Sequence, residues 1–250
     1  MRTTTIFLIA IALIFTSCKK KNDISPVTDS GGSQHPNCGM VPQQLQYVGV
    51  LEFVPGCPCA DSTVNAELTK ILSYEPVWPV PVICKKYITD DSLYARMFRI
   101  YSDSVVFIIN DQPCFYQQIE SSIDAVLSRT PEAQSNFSMK KDGQNISVTV
   151  TTKFFNSESN ADYYLAAYAL EDNIPYGKRK ISHMLRAASV DNDALGEKIV
   201  SGSVTAGTEI TKEYTIHCPA VCNMSNMTVA TFIWKKVNGV VTFVNAFEKK

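Results

Sequence analysis

Residues 47–61 read YVGVLEFVPGCPCAD. An apolar run of strand length stops at Pro55-Gly56, two cysteines one proline apart follow, and the chain continues into ADSTVNAELTKILSYE, whose Val64, Leu68, Ile71 and Leu72 recur at helical spacing. This is a strand, a cysteine-bearing turn and a helix. Downstream, VWPVPVICKKY (77–87) reads as a second strand with prolines near its start. A helix is expected around DDSLYARMF (90–98), then a strand DSVVFIIN (103–110), a turn at DQPC (111–114) and a helix QQIESSIDAVLS (117–128). Alternation of this kind argues for a three-layer α/β arrangement.

After Pro131 the pattern changes. NFSMKKDGQNISVTVTTKFF (136–155) is two alternating strands around an Asp142-Gly143 turn, and DYYLAAYALED (162–172) is a third. EITKEYTIHC (209–218) and the C-terminal stretch from Ser225 add more, the last pair joined at Asn238-Gly239. Strands at this spacing without long helices predict a β-sandwich of immunoglobulin-like type. The order of elements before Pro131, with the CPC motif at the start of the first helix, resembles a thioredoxin fold. The expected fold class is therefore two-domain: a degenerate thioredoxin-like α/β domain over 38–131, then an immunoglobulin-like β-sandwich over 135–250.

The amino terminus reads as an address. Arg2 precedes an apolar run from Ile6 to Phe15, followed by Thr16, Ser17 and Cys18. The run is shorter than the roughly 20 apolar residues that cross a bilayer and has the regions of a secretory signal. Its small residues before Cys18 resemble the lipobox of bacterial lipoproteins, which implies removal of 1–17 and lipidation of Cys18, for instance with palmitate. Residues 18–37 are polar, contain Gly and Pro, and read as a flexible tether, whose reach is on the order of 25 Å. No Asp follows Cys18 directly, and family knowledge of lipoprotein sorting makes that an outer-membrane address, facing either the periplasm or the cell surface.

Of 23 basic residues, loss of the signal removes only Arg2, leaving 22 against 24 acidic ones, a net charge of about −2 that suggests no nucleic-acid partner. With 45% apolar residues the remaining chain can bury a sizeable core.

The segment 163–189, YYLAAYALEDNIPYGKRKISHMLRAAS, with VTAGTEITKEYTI (204–216) and the terminal hairpin, resembles the 28-kDa outer-membrane protein family. Those lipoproteins pair a thioredoxin-like domain with a C-terminal β-sandwich. The turn Glu171-Asp172-Asn173-Ile174, the stretch His183-Met184-Leu185-Arg186-Ala187 and VLEFVPGCPC (50–59) occupy the expected places. Ile181 stands where the family has a His, which argues against a metal or catalytic role for that loop, and no well-defined activity comes with the resemblance.

Cys57 and Cys59 are the candidate redox pair, because a cysteine at a helix N-terminus has its thiolate favoured by the dipole. Their single spacer, and the lack of a proline before the third strand to line up a substrate thiol, argue against a working enzyme. After lipidation seven cysteines remain, so at least one is unpaired. Strand directions in the thioredoxin-like sheet put Cys84 near Cys57 and Cys59, and Cys114 at the opposite end near Cys38. A disulfide needs Cα atoms within roughly 7 Å, which disfavours Cys84 with Cys114. The expected pairs are Cys218 with Cys222, Cys38 with Cys114, and Cys84 with Cys57 or Cys59. His217 and Cys218 are adjacent on a strand and face opposite ways, so a disulfide is preferred there to a metal site. Trp78 and Trp234 read as core anchors.

The leading expectation is a non-enzymatic binding or assembly protein with no cofactor and no metal. Its partners are the membrane, through the lipid anchor, and a protein or glycan ligand, but no nucleic acid. The alternatives are a tethered thiol-disulfide oxidoreductase using Cys57 and Cys59, and a glycan-binding or adhesive module.

Overall fold

Two tight turns frame the β-rich half. The computed structural model describes residues 42–48, 50–54, 82–84, 106–109, 112–114, 118–176, 179–190, 193 and 195–249. Among them Gly143, at φ +57°, reverses the chain between β5 (Ala133–Asp142) and β6 (Asn145–Phe154). Asn238 and Gly239, at φ +51° and +84°, do the same between β13 (Met227–Val237) and β14 (Val240–Lys249). Two consecutive positive-φ residues match the right-handed twist of the flanking strands, and Asn-Gly supplies them at low cost.

β5 and β6 join β12 (Glu209–His217) in a three-stranded antiparallel sheet of order β12-β6-β5. Its alternation is regular: Ile146, Val148, Val150, Thr152 and Phe154 of β6 are buried, while the residues between them reach solvent. The facing sheet is built on β7 (Asp162–Glu171), which pairs antiparallel with β13 along its whole length. Both faces of these two strands are buried, so their sequences read as near-continuous apolar runs. Tyr163, Leu165, Ala167 and Ala169 turn toward the three-stranded sheet and share its core with Phe137, Phe154 and Ile216. Ala166, Tyr168 and Leu170 turn the other way, into a second cluster with Phe232, Trp234 and Phe243. Trp234 is fully buried, with Phe232 and Phe243 at 5.9 and 5.7 Å between ring centroids. The sequence-predicted role of Trp234 as a core anchor holds.

The far edge of β7 is shared by two strands. β10 (Met184–Ala188) pairs with its C-terminal half and β11 (Glu197–Val200) with its N-terminal half. Beyond β10 the same sheet continues into the amino-terminal half of the chain. Met184 lies parallel to Val82 of β2 (Val82–Cys84), and β2 pairs parallel with β1 (Val50–Val54). β1 then pairs antiparallel with β3 (Val106–Ile109), and β3 with β4 (Gln112–Cys114). The order is β14-β13-β7-β10-β2-β1-β3-β4, with β11 off the path. The two halves thus share backbone hydrogen bonds. The described residues form a mostly antiparallel β fold of two main sheets with a single α-helix, α1 (Ile119–Leu127), which rests against β3 through a stripe that buries Ile119, Ile123 and Val126. A small hairpin of β8 (Ile174–Tyr176) and β9 (Arg179–Ile181) completes it.

The parallel β1–β2 and antiparallel β1–β3 pairings agree with the directions expected from sequence. One expectation is corrected: Gln112–Cys114 is a strand and not a turn. Cys114 is level with Phe107 and Glu52, whereas Cys84 is level with Val54. The two cysteines are therefore two residues apart along the sheet, and not at opposite ends. What separates them is three strand spacings, about 14 Å, still too far for a disulfide.

A β-bulge in β14 ties the N-terminal approach to the sandwich. Ile233 pairs with Asn245 and Trp234 with Phe243, leaving Val244 as the extra residue. Its carbonyl accepts from Gln46 Nε2 at 3.0 Å. The fully buried Asn245 donates through Nδ2 to the Leu45 and Ala133 carbonyls, both at 2.8 Å, and accepts from the Tyr47 and Ala246 amides at 2.8 and 3.0 Å. All its polar capacity is used. Asn245→Ala removes the side-chain partner of four backbone groups, of which the Leu45 carbonyl keeps a bond from Gln134 Nε2, and a loss of unfolding free energy of about 2–4 kcal/mol is expected by urea denaturation. A loss under 1 kcal/mol would show that water replaces the amide.

Candidate functional site

The residues the sequence singles out are spread widely. Cys18, Cys38, Cys57 and Cys59 lie outside the described residues, as does Trp78. Cys84 is in register with Val54, three residues before Cys57. Among the described residues no group of three or more His, Cys, Asp or Glu could hold a metal ion, and no helix is long and apolar enough to cross a membrane.

Two sites emerge instead. The first is an open groove of about 780 Å3 on the β-sandwich. Its walls are Ser157–Ser159 and residues 199–210, zipped by reciprocal backbone bonds between Glu158 and Val204 at 2.9 Å. Ile199, Val200, Val204 and Ile210 supply an apolar floor, and Ser157, Ser159, Ser201, Ser203, Thr205 and Thr208 a hydroxyl-rich rim. Glu158 brings a carboxylate, which Lys235 holds: Lys235 Nζ donates to Glu158 at 2.6 Å and to Glu132 at 2.9 Å, while Tyr163 donates its hydroxyl to Glu132. The bond from Lys235 keeps Glu158 below the usual carboxylate range. Burial opposes the charge on Lys235, but the two carboxylates outweigh it and raise its pKa. Burial, then Glu132, drives the Tyr163 hydroxyl well above its ordinary value, so that it stays a donor. This network fixes one wall of the groove and is fully engaged within the protein.

The second site lies where β7 ends. A strand this apolar closes on Glu171 and Asp172, and the two serve different partners. Glu171 is 4% exposed. It accepts from Arg186 Nε at 2.6 Å and from the Asn223 amide at 2.8 Å. Arg186 reaches it because the β10–β7 register slips between Leu185 and Ala187, making Arg186 a bulge residue whose side chain is redirected. Asp172 accepts from the His183 amide at 2.8 Å, and the His183 ring lies 3.2 Å from the buried Glu248 carboxylate. Asn173 and His183, at φ +60° and +57°, bound the β8–β9 hairpin between them. Sequence reasoning named Glu171 and Arg186 only within stretches that carry a resemblance, gave them no role, and passed over Glu248; the available signal was charge set inside apolar strands, as in YALED and HMLRAA.

Beside Glu171 stand Cys218 and Cys222. In place of the expected disulfide the structure has two free thiols, both in the sandwich core at 6% and 5% exposure. Burial, reinforced by Cys222 and Glu171, pushes the Cys218 thiol up to about 11; burial raises Cys222 as well. His217 points outward, as expected from its neighbour, and bonds Asn145 Oδ1 at 2.7 Å.

A sandwich of two antiparallel sheets, extended on one side by a mixed sheet, defines the class of protein this fold represents. Among solved structures, the chain is similar to HBP35 of Porphyromonas gingivalis, with a TM-score of 0.63 at 12% identity, over 83% of this chain and 76% of that one. It also matches a domain of the outer membrane lipoprotein Omp28 from Porphyromonas gingivalis, at TM-score 0.34 and 20% identity over 48% of this chain and 88% of that domain. No family model and no curated protein matches the chain.

Proposed function

We propose that the chain is an outer-membrane lipoprotein, anchored through Cys18 and held off the membrane by residues 18–37, whose folded part is a non-enzymatic binding or assembly module. Its two parts are a degenerate thioredoxin-like domain over 38–131 and an immunoglobulin-like β-sandwich over 135–250, sharing one sheet. The anchor reading rests on the apolar run ending in Phe15-Thr16-Ser17-Cys18. The observation that carries the binding reading is the open groove, where hydroxyl donors and acceptors rim an apolar floor beside a carboxylate. That lining suits an extended, hydroxyl-rich ligand such as a glycan, or a peptide backbone.

Calorimetric titration of the mature protein with purified cell-envelope oligosaccharides and with extended peptides identifies the class. Ser203→Trp, at an exposed rim position, fills the groove and is expected to weaken that binding roughly tenfold or more while leaving the melting curve unchanged. Binding that survives the substitution moves the site elsewhere. Turnover of a disulfide substrate that is abolished by Cys57→Ser or Cys59→Ser establishes the oxidoreductase reading instead.

A further inference from the structure

Among the described residues the β8–β9 hairpin pairs with no other strand, and both of its feet are left-handed. Asn173 enters it at φ +60° and His183 leaves it at φ +57°, a conformation that residues other than glycine adopt at a cost. A bond from the His183 amide to Asp172 Oδ1, at 2.8 Å, joins the two feet. Glu248 meets them from another strand. It pairs with Ala230 of β13, and Ala230 with Tyr168 of β7, so its side chain shares the face that holds Tyr168, Leu170, Leu185 and Phe232. This face is apolar, and the Glu248 side chain is only 1% exposed. Neither of its oxygens accepts a hydrogen bond from the described residues. What it has is the His183 ring, whose Nε2 lies 3.2 Å from Glu248 Oε1 and 3.7 Å from Asp172 Oδ1.

A buried carboxylate persists only with a matching charge or donor. The described side chains of the other elements bring no cation to this place. β13 presents Thr228 and Ala230, and β2 begins with Val82 level with Met184. β10 presents Leu185, while its Arg186 is bonded to Glu171. The hairpin carries Arg179 and Lys180, and Lys180 is exposed. The imidazole is therefore the group that can bring positive charge to Glu248. With a second proton it is a cation between two carboxylates from different strands; without it, two acidic groups face an uncharged ring.

We propose that His183 is a proton-sensitive latch: as an imidazolium it ties the end of β14, through Glu248, to the end of β7, through Asp172, and so holds the feet of the β8–β9 hairpin on the sandwich. When the ring gives its proton to solvent the tie is lost and the hairpin loosens. Carboxylates at 3.2 and 3.7 Å favour the charged ring in the folded chain. The folded ring therefore keeps its proton to a higher pH than an unfolded imidazole, whose midpoint is about 6.5. The stability this adds is complete below the unfolded midpoint and is lost as the pH rises through the folded one. The latch rests on these three residues, and on neither the groove nor the membrane anchor.

The test is a pH titration of the mature protein followed by nuclear magnetic resonance, with the His183 ring signal assigned by its absence in His183→Gln. The ring is expected to titrate above the midpoint of an unfolded imidazole, and Glu248→Gln to move that midpoint down. Asp172→Asn keeps an acceptor for the His183 amide and removes the charge, so it should also lower the midpoint. Amide protection in β8 and β9, corrected for the intrinsic pH dependence of exchange, is expected to fall roughly fivefold or more as the pH rises through the wild-type midpoint. In His183→Gln it should stay level over the same range. The wild-type titration needs no substitution and decides the matter even if a variant folds poorly. A wild-type midpoint at or below that of an unfolded imidazole, or one that neither carboxylate substitution moves, overturns the latch. Protection in β8 and β9 that does not change across the midpoint overturns its hold on the hairpin.

Discussion

Arg186→Ala is expected to lower the unfolding free energy by about 3–5 kcal/mol, a large part of the total stability of a typical domain. Arg186 and Glu171 are each 6% exposed at the side chain, with 2.6 Å between Nε and Oε2. Removing the guanidinium leaves a buried carboxylate with the Asn223 amide as its remaining described donor. Desolvation of an ion is costly enough that the loss exceeds what the pair itself contributed. The double variant Glu171→Met/Arg186→Met should recover most of the stability, because apolar side chains of similar volume carry no such penalty. Urea denaturation of the two single variants and the double closes the cycle. If the double is as unstable as Arg186→Ala alone, the guanidinium acts through other contacts and not through Glu171.

The second large effect is expected at Gly196. Here the chain has left β7 at the end of β10 and returns to it at β11, so the backbone must approach β7 closely. A Cβ on Gly196 would lie 2.1 Å from the Leu165 carbonyl oxygen and 2.6 Å from the Ala166 Cα, and φ is +79°. The atoms in the way are backbone of the central strand and cannot rotate aside. Gly196→Ala should therefore cost about 3 kcal/mol or more, from the left-handed conformation and the displacement together. Gly143→Ala is the control: its φ is +57° with nothing within 4 Å of the added carbon, so only the conformational cost of about 1–2 kcal/mol applies. Equal losses at the two positions would mean that β11 moves away from β7 without penalty.

Local signals made much of the β-rich half legible. Asp142-Gly143 and Asn238-Gly239 require positive φ and so mark hairpins wherever they stand, and the period-two pattern of ISVTVTTKF sets which side of β6 is buried. The same holds for α1, whose Ile119, Ile123 and Val126 repeat at helical spacing. The directions of β1, β2 and β3 agree with those expected from the resemblance of this segment to a thioredoxin-like sheet. By contrast, QPC at 112–114 carries a proline and no periodicity, so only the neighbouring β3 makes it a strand.

What the sequence by itself determined is therefore most of the longer strands, their hairpin turns and the inward face of β6, because these depend on residues a few positions apart. Only the tertiary structure decided that one sheet runs from β14 to β4 through the Met184–Val82 pairing, since strand order depends on contacts far apart in the chain. It also decided the sites. Arg186 meets Glu171 through a one-residue slip against β7, and Asn245 meets residue 45 across 200 positions of sequence. The groove arises where Ser157–Ser159 and residues 199–210 pair through Glu158 and Val204. Polar groups at such places are held by partners that no local pattern specifies, and burial makes each of those partners obligatory.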